Sequence, residues 1–307
     1  MRVFLLMLCA AAAFGQSRQV AITIDDLPRG GDDLARRDFA SVERVTVKLL
    51  EPLRGIPLIG FVNAGRHGEM SEADLQKILR LWIANGVTLG NHTWSHPDLN
   101  DVSLADYEAD ILRGEPAITE ALGHRPIYFR HPYLHAGPTA EKKRGLETFL
   151  AAHGYRVAPV TLDDSDWMFA FIYAQAMKDD PKMAQRARDA YIPYMDSIFA
   201  FFEERSKEVV GREFPQILLI HASQLNADTM PDLLPMMRRR GYRFVSLDEA
   251  LRDDAYKLPD DYVGPGGFSW IHRWSKTRGM PDKGEPDEPE WIRNEYERRQ
   301  RPPSGAK

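Results

Sequence analysis

Two histidines and two adjacent aspartates are the residues of this 307-residue chain whose types and spacing best suit metal chemistry. His92 and His96 enclose the segment Thr-Trp-Ser, and Asp25 and Asp26 lie near the N-terminus. Two imidazole nitrogens and one carboxylate oxygen bind one face of a divalent metal and leave other coordination positions open, as catalytic sites require. The set predicts a metal-dependent hydrolase.

The surrounding sequence predicts the elements that must position these residues. Short β-rich runs alternate with helix-length amphipathic segments, a pattern typical of an α/β fold on a mostly parallel sheet. The predicted strands are Val20–Ile24, Pro57–Val62, Val87–Leu89, Ile127–Phe129, Arg156–Leu162, Gln216–Ile220 and Arg243–Ser246. Predicted helices run from the cap at Ser71 to Gly86, from Pro138 to His153 and from Met230 to Arg240.

Polar residues stand directly after several of these strands. The residues at these strand ends are Asp25, Asp26, His92, Arg130, Asp163 and His221. Alone, an aspartate pair is usually a turn or helix cap, and a His-x-x-x-His pair often arises by chance. Because the carboxyl ends of parallel strands gather on one face, the set together predicts one active site.

Five segments in order resemble the motifs of the polysaccharide deacetylase family, also called carbohydrate esterase family 4 or the NodB homology domain. They are Thr23-Ile24-Asp25-Asp26, His92 to His96, Arg130-His131-Pro132-Tyr133, Asp163 to Trp167, and Leu218 to His221. The resemblance covers about residues 20 to 251. It implies a distorted (β/α) barrel that binds zinc, or cobalt or another divalent transition metal instead.

The resemblance also implies how the metal and the attacking water are handled. Asp26, His92 and His96 would hold the metal, and Asp25 would be the general base. Arg130 would support Asp25, because a nearby positive charge favours the ionised carboxylate.

The remaining motif residues are implied to act on the acetyl group and the leaving group. His221 would be the general acid, held in orientation by Asp166. The backbone N–H of Tyr133, after Pro132, would stabilise the oxyanion, and Trp167 would line the pocket. The chain departs from the family at Leu134, where a small residue is usual.

The chain divides into three predicted parts. Residues 1–17 resemble a signal peptide, with Arg2 before an apolar run that contains the only cysteine, Cys9. Residues 18–253 are predicted to be the catalytic domain, with a helical insertion at about 168–210. Its aromatic residues fit either a helix pair packed on the barrel or a wall of the substrate cleft. Residues 254–307, rich in Gly, Pro and charge, are predicted to be an irregular, partly docked extension.

Composition limits the partners. The 40 Lys and Arg residues and 45 Asp and Glu residues give a net charge of −5, which disfavours nucleic-acid binding and phosphoester hydrolysis of nucleic acids. No membrane span after signal removal and no protein partner are predicted, and the expected location is secreted or periplasmic.

The expected reaction is deacetylation of an N-acetylated glycan, with O-acetylated sugars as the alternative. Two other functions remain open: hydrolysis of a smaller non-sugar amide on the same site, and carbohydrate binding without catalysis. Asp25 and His221 argue against a pure binder, because binding needs neither a general base nor a general acid.

Overall fold

The computed structural model describes residues 18–30 and 38–300, which form a curled, seven-stranded parallel sheet surrounded by helices. The predicted α/β class is confirmed. In chain order the strands are β1 (Arg18–Leu27), β2 (Leu58–Val62), β3 (Val87–Asn91), β4 (Tyr128–Phe129), β5 (Arg156–Val157), β6 (Gln216–His221) and β7 (Tyr242–Phe244). Strands β1, β2 and β6 are buried along almost their whole length, as expected when both faces of a sheet are covered.

The sheet closes on itself as a distorted barrel. Its strands lie in the order β5-β4-β3-β2-β1-β6, and β7 pairs with the start of β1. Beyond β5 the chain returns to the sheet at Leu162, which bridges to Leu218 of β6. This single bridge brings the chain after β5 to the β6 side of the curled sheet, and the predicted distorted (β/α) barrel is confirmed.

The predicted strand Arg156–Leu162 is wrong in its middle part. Only β5 and the bridge at Leu162 are extended and paired. Between them, the carbonyl of Val160 accepts a hydrogen bond from Trp270 N over 2.7 Å. The backbone N–H of Trp270, more than a hundred residues further along the chain, therefore replaces the donor that a neighbouring strand would have supplied.

Helices cover the outside of the barrel. Within the described residues they are α1 (Phe39–Leu50), α2 (Glu72–Ala84), α3 (Leu104–Leu122), α4 (Ala140–Ala152), α5 (Asp166–Asp179), α6 (Pro181–Val210), α7 (Gln224–Arg239), α8 (Leu247–Ala250), α9 (Trp270–Thr277) and α10 (Glu290–Gln300). Ser71 caps α2 as predicted, accepting from Asp74 N over 3.2 Å. Helix α7 begins earlier than the predicted Met230, because Ser223 caps it by accepting from Asn226 N over 3.1 Å.

The aromatic interval near 168–210 forms helices α5 and α6. Tyr191 and Phe199 of α6 are fully buried, and the ring of Phe169 in α5 lies 5.0 Å from that of Tyr194. Much of the aromatic content of this interval is therefore packed between the two helices and the barrel. The exposed part of α5 borders the candidate site described below.

The C-terminal extension is less irregular than its composition indicates, since it contains α9 and α10. Trp274 of α9 is 1% exposed, with its ring centroid 5.9 Å from those of Phe214 and Tyr256. The backbone of the extension is helical at α9, where the side chain of Trp274 packs against Phe214. Phe214 lies 60 residues before Trp274 in the chain, so local composition does not reveal this contact.

Within residues 18–30 and 38–300, no helix combines the length and the apolar character needed to cross a bilayer. The predicted signal peptide, residues 1–17 with Cys9, lies outside the described residues.

Candidate active site

A β-bulge in β1 carries the two neighbouring aspartates. Ile24 pairs with Gly60 and Leu27 with Val62, so three steps along β1 match two steps along β2. Asp26 lies in this bulge with φ 64°, a left-handed conformation that costs a non-glycine residue about 1–2 kcal/mol. Adjacent side chains of a regular strand point to opposite faces, whereas here both carboxylates line one cavity.

The turn after β3 presents the two histidines. Asp110 of α3 accepts from the backbone N–H groups of Trp94 and Ser95, each over 2.9 Å, and so holds the turn against the helix. The rings of His92 and His96 meet edge to face, with centroids 4.9 Å apart. The His-x-x-x-His pair therefore lies in a loop fixed by α3, not on a helix.

Asp26, His92 and His96 form a group that we call the metal-ligand group, and their ligand atoms lie within 4.8 Å of one another. Oδ1 of Asp26 is 3.7 Å from Nε2 of His92 and 3.5 Å from Nε2 of His96. Ligands of a tetrahedral zinc ion lie about 3.4 Å apart when each bond is about 2.1 Å long. The separations of the carboxylate oxygen from the two nitrogens thus suit a divalent metal.

Two further contacts support this fit. Nδ1 of His92 lies 2.8 Å from the carbonyl of Arg130; a carbonyl can only accept, so Nδ1 carries the proton and Nε2 keeps its lone pair. Oδ1 of Asp26 is buried without a hydrogen-bond partner among the described residues, although a buried carboxylate oxygen ordinarily has one. Both atoms are available to a metal.

Electrostatics favour the protonation states that metal ligands need. Burial opposes the charge of Asp26, but His96 and Arg66 outweigh it and hold the pKa of this carboxyl below its ordinary value. Arg66 Nη1 donates to Oδ2 over 3.3 Å, which leaves Oδ1 on the histidine side. Burial lowers the pKa of both His92 and His96.

Asp25 is a second carboxylate beside the metal-ligand group. Its Oδ2 accepts from Arg130 Nη1 over 3.4 Å, and Arg130 also donates to Thr23 Oγ1 over 2.8 Å. Its Oδ1 is buried and has no partner in the described part of the chain. Burial raises the pKa of Asp25 to about 6, although Arg130 opposes the rise. Arg130 lowers the pKa of Asp25, as expected. The opposite effect of desolvation on this pKa is larger, because both groups lie in the interior.

His221 and Asp166 form a hydrogen-bonded pair on the other side of Asp25, which lies opposite His221 in the β1–β6 register. Nδ1 of His221 is 2.6 Å from Oδ1 of Asp166. Oδ2 of Asp166 accepts from the backbone N–H of His221 over 2.8 Å and from Nδ2 of Asn226 over 2.6 Å. Burial lowers the pKa of His221, but Asp166 more than offsets this and raises it to about 10.

The turn Pro132–Leu134 borders the metal-ligand group. The ring centroid of Tyr133 lies 4.5 Å from that of His96, and Pro132 is buried under the turn. Tyr133 and Leu134 both have φ 56°, so the turn is held in a left-handed conformation. The unusual Leu134 is buried and lines the cavity, which makes this wall bulkier than a small residue would.

These side chains meet in one cavity of about 890 Å³, a volume within the range of about 300–1,000 Å³ typical of small-molecule sites. Its lining includes the metal-ligand group, Asp25, His221, Tyr133 and Trp167. Arg130 and Asp166 are fully buried behind Asp25 and His221. Asp163 and Asp164 also line it, and burial raises the pKa of Asp163 to about 7 and that of Asp164 well above its usual range.

Three residues that orient this site were not anticipated from the sequence: Asp110, Asn226 and Arg66. Asn226 follows His221 closely in the chain, at the start of α7, so a search for amide side chains near that histidine could have found it. Asp110 and Arg66 come from other elements, and only the fold brings them to the site.

Comparison with known proteins gives consistent matches. A family model described as polysaccharide deacetylase matches residues 15–157. A chitin deacetylase from Colletotrichum lindemuthianum is 26% identical over 195 residues, which are 63% of this chain and 68% of that protein. A peptidoglycan-N-acetylglucosamine deacetylase from Bacillus cereus is 24% identical over 236 residues, which are 75% of this chain and 66% of that protein. The chain thus spans about two thirds of each of these relatives.

Among solved structures, a family 4 carbohydrate esterase from Streptomyces lividans, in complex with acetate, is 20% identical to this chain. The match covers 76% of this chain and 95% of that one, with a TM-score of 0.47. The family model and the sequence relatives confirm the resemblance that the five motifs indicate.

The first prediction concerns metal binding. His92→Ala and His96→Ala should each weaken binding of added zinc by more than about 100-fold, because each removes a direct ligand and even indirect supports cost 10–100-fold. Elemental analysis after dialysis measures the bound metal. His124→Ala is the matched control, since His124 is exposed and bonds only to a nearby carbonyl in the described structure. Undiminished binding in both site variants would exclude the metal-ligand group.

The second prediction concerns protonation of His221. In chelator-treated protein, Asp166→Asn should lower the pKa of His221 from about 10 toward or below its ordinary 6.5, because burial then acts against a weaker opposing attraction. His221 should therefore be charged at pH 8 in the wild type and mostly neutral there in the variant. An NMR titration of the imidazole measures this, with Asp232→Asn on the outer surface as control. A wild-type pKa near 6.5 would contradict the pairing.

Proposed function

We propose that this chain, whose residues 15–157 match the family model described as polysaccharide deacetylase, is a metal-dependent hydrolase of that family that removes acetyl groups from N-acetylated amino sugars of a polysaccharide or oligosaccharide. One observation carries the proposal: a single cavity is lined by the metal-ligand group, the separate carboxylate of Asp25, and His221 with Asp166 behind it. The relatives named as chitin and peptidoglycan deacetylases support an N-acetylated glycan as substrate.

Asp26, His92 and His96 would hold the metal, which we propose to be zinc, with cobalt as the alternative. When bound, the metal would polarise the acetyl carbonyl and lower the pKa of the attacking water. The three side chains supply two nitrogen donors and one oxygen donor, and so leave coordination positions free for substrate.

Asp25 is the proposed general base. Its unpartnered Oδ1 accepts a proton from the water that attacks the acetyl carbon. Arg130 holds Oδ2 from behind, so the carboxylate keeps its orientation while Oδ1 reacts. Tyr133 is proposed to donate its backbone N–H to the developing oxyanion, and Pro132 to fix the turn that carries it.

His221 is the proposed general acid. Asp166 occupies Nδ1, so Nε2 is the atom that delivers a proton to the leaving nitrogen. The C–N bond then breaks, and acetate and a free amine form. Asn226 and the backbone N–H of His221 both donate to Asp166, which holds this carboxylate in place beside the imidazole.

We also propose that the protein is exported, on the basis of the signal-peptide pattern in residues 1–17. An exported deacetylase would meet extracellular or cell-wall glycans.

The third prediction separates the base from the metal ligands. Asp25→Asn should lower kcat by about 100- to 10,000-fold while bound metal stays at the wild-type amount, because the amide cannot take up the proton. His92→Ala should lose both metal and turnover. Acetate release and elemental analysis on the same samples measure the two quantities. A near-wild-type rate for Asp25→Asn would remove Asp25 as base.

The fourth prediction concerns the substrate. With zinc or cobalt added, the wild type should release acetate and leave free amine on N-acetylated oligosaccharides, faster than on O-acetylated glycans or small amides. Product analysis across that panel by mass spectrometry gives the order. Turnover confined to small amides would favour a non-sugar substrate. Glycan binding without turnover on any substrate would favour an inactive binding protein.

A further inference from the structure

Three aromatic rings meet at the end of the cavity that α5 and α10 form. Tyr296 of α10 lies edge to face with Trp167, at 5.2 Å between centroids, and with Phe171, at 5.1 Å. All three line the cavity that contains the metal-ligand group. Trp167 is 37% exposed, which is high for so large an apolar side chain. We call these three rings the aromatic wall.

The spacing of the lining residues indicates that two helix faces form this end of the cavity. Trp167, Phe171 and Gln175 follow one another at intervals of four along α5, and Tyr296 and Gln300 do so along α10. Residues four apart share one face of a helix, so each helix presents a continuous stripe to the cavity. Rings and amide groups occur together on this surface.

Helix α10 is anchored by contacts on its other faces. Ile292 is fully buried, and Arg186 of α6 lies 3.9 Å from the ring centroid of Trp291. Arg299 pairs with Asp179 at the end of α5 over 3.0 Å. These contacts hold the helix beside α5 independently of Tyr296. Tyr296 itself is half-buried and lines the cavity, so part of its ring is accessible to a ligand.

The combination of rings and amides matches the surface of a sugar. A pyranose ring has an apolar face of C–H groups, which an aromatic ring can cover, and hydroxyl groups at its rim, which amides can bind. We infer that the aromatic wall binds a sugar ring of the substrate and that Tyr296, from the C-terminal extension, is a specificity-determining residue. The inference rests on the proposed function for its substrate. Both helices lie beyond residues 15–157, the stretch that the family model matches.

The test compares Tyr296→Ala with Tyr296→Phe and Asn294→Ala in the full chain. The probe is a β-1,4-linked oligosaccharide of N-acetylglucosamine. KM and kcat are measured by acetate release, and Kd is measured by calorimetry on chelator-treated protein, which does not depend on turnover. Asn294→Ala is the control, because it changes an exposed residue of the same helix that does not line the cavity.

Tyr296→Ala should raise KM and Kd about tenfold, the order expected when one aromatic contact is lost. The loss should fall on KM more than on kcat, since the aromatic wall does not contact the reacting atoms. Tyr296→Phe, which keeps the ring, should restore both constants, and Asn294→Ala should leave them near wild type. Unchanged binding by Tyr296→Ala, or equal weakening by Asn294→Ala, would overturn the inference.

The inference and the proposed function can fail separately. Glycan binding that weakens in Tyr296→Ala without any acetate release would support the aromatic wall and reject the hydrolase. Acetate release from small amides, with no binding of the oligosaccharide by the wild type, would reject the aromatic wall and keep the hydrolase.

Discussion

The bulge of β1 at Asp25 and Asp26 is the constraint on which the rest of the site depends. In a flat strand one of these carboxylates would point away from the barrel end and into the helical layer. The extra residue and the left-handed φ of Asp26 bring both to one cavity, where one joins the two histidines and the other stays separate. Pairing of β1 with β2 and β6 on either side of the bulge stabilises this strained backbone, because these two neighbours would have to separate before it could relax.

The site is also a buried set of opposing charges, and this explains how several carboxylates can lie together in the interior. An isolated carboxylate in the interior would cost several kcal/mol, so each needs a cationic neighbour. These pairs are Arg130 with Asp25, Arg66 with Asp26, and His221 with Asp166. Each pairing with arginine uses only one oxygen of the carboxylate. The other oxygens of Asp25 and Asp26 are buried and have no hydrogen-bond partner within residues 18–30 and 38–300, and they are the atoms at which proton transfer and metal binding are proposed.

The parts of the chain outside the barrel strands complete the site from a distance. Helix α3 fixes the histidine turn through Asp110, and α7 fixes Asp166 through Asn226. The extension makes two such contacts. The backbone N–H of Trp270 donates to the carbonyl of Val160 between β5 and the bridge at Leu162, and Tyr296 lies against Trp167 of α5 at the cavity. A barrel with the same reacting groups but another extension would therefore present a different surface to its substrate.

The sequence by itself indicated the general architecture and the chemistry that we propose. The alternation of strands and helices is a local property, and the five ordered motifs pointed to the metal-ligand group, Asp25 and His221 through their resemblance to the polysaccharide deacetylase family. Only the tertiary structure decided how those groups face one another. The bulge at Asp26 is a backbone conformation that its residue type does not require, and the burial that raises the pKa of Asp25 comes from many distant elements. The contact of Tyr296 with Trp167 joins residues more than a hundred positions apart. Such a contact depends on how the helices of the extension pack against the rest of the chain, and no local pattern encodes it.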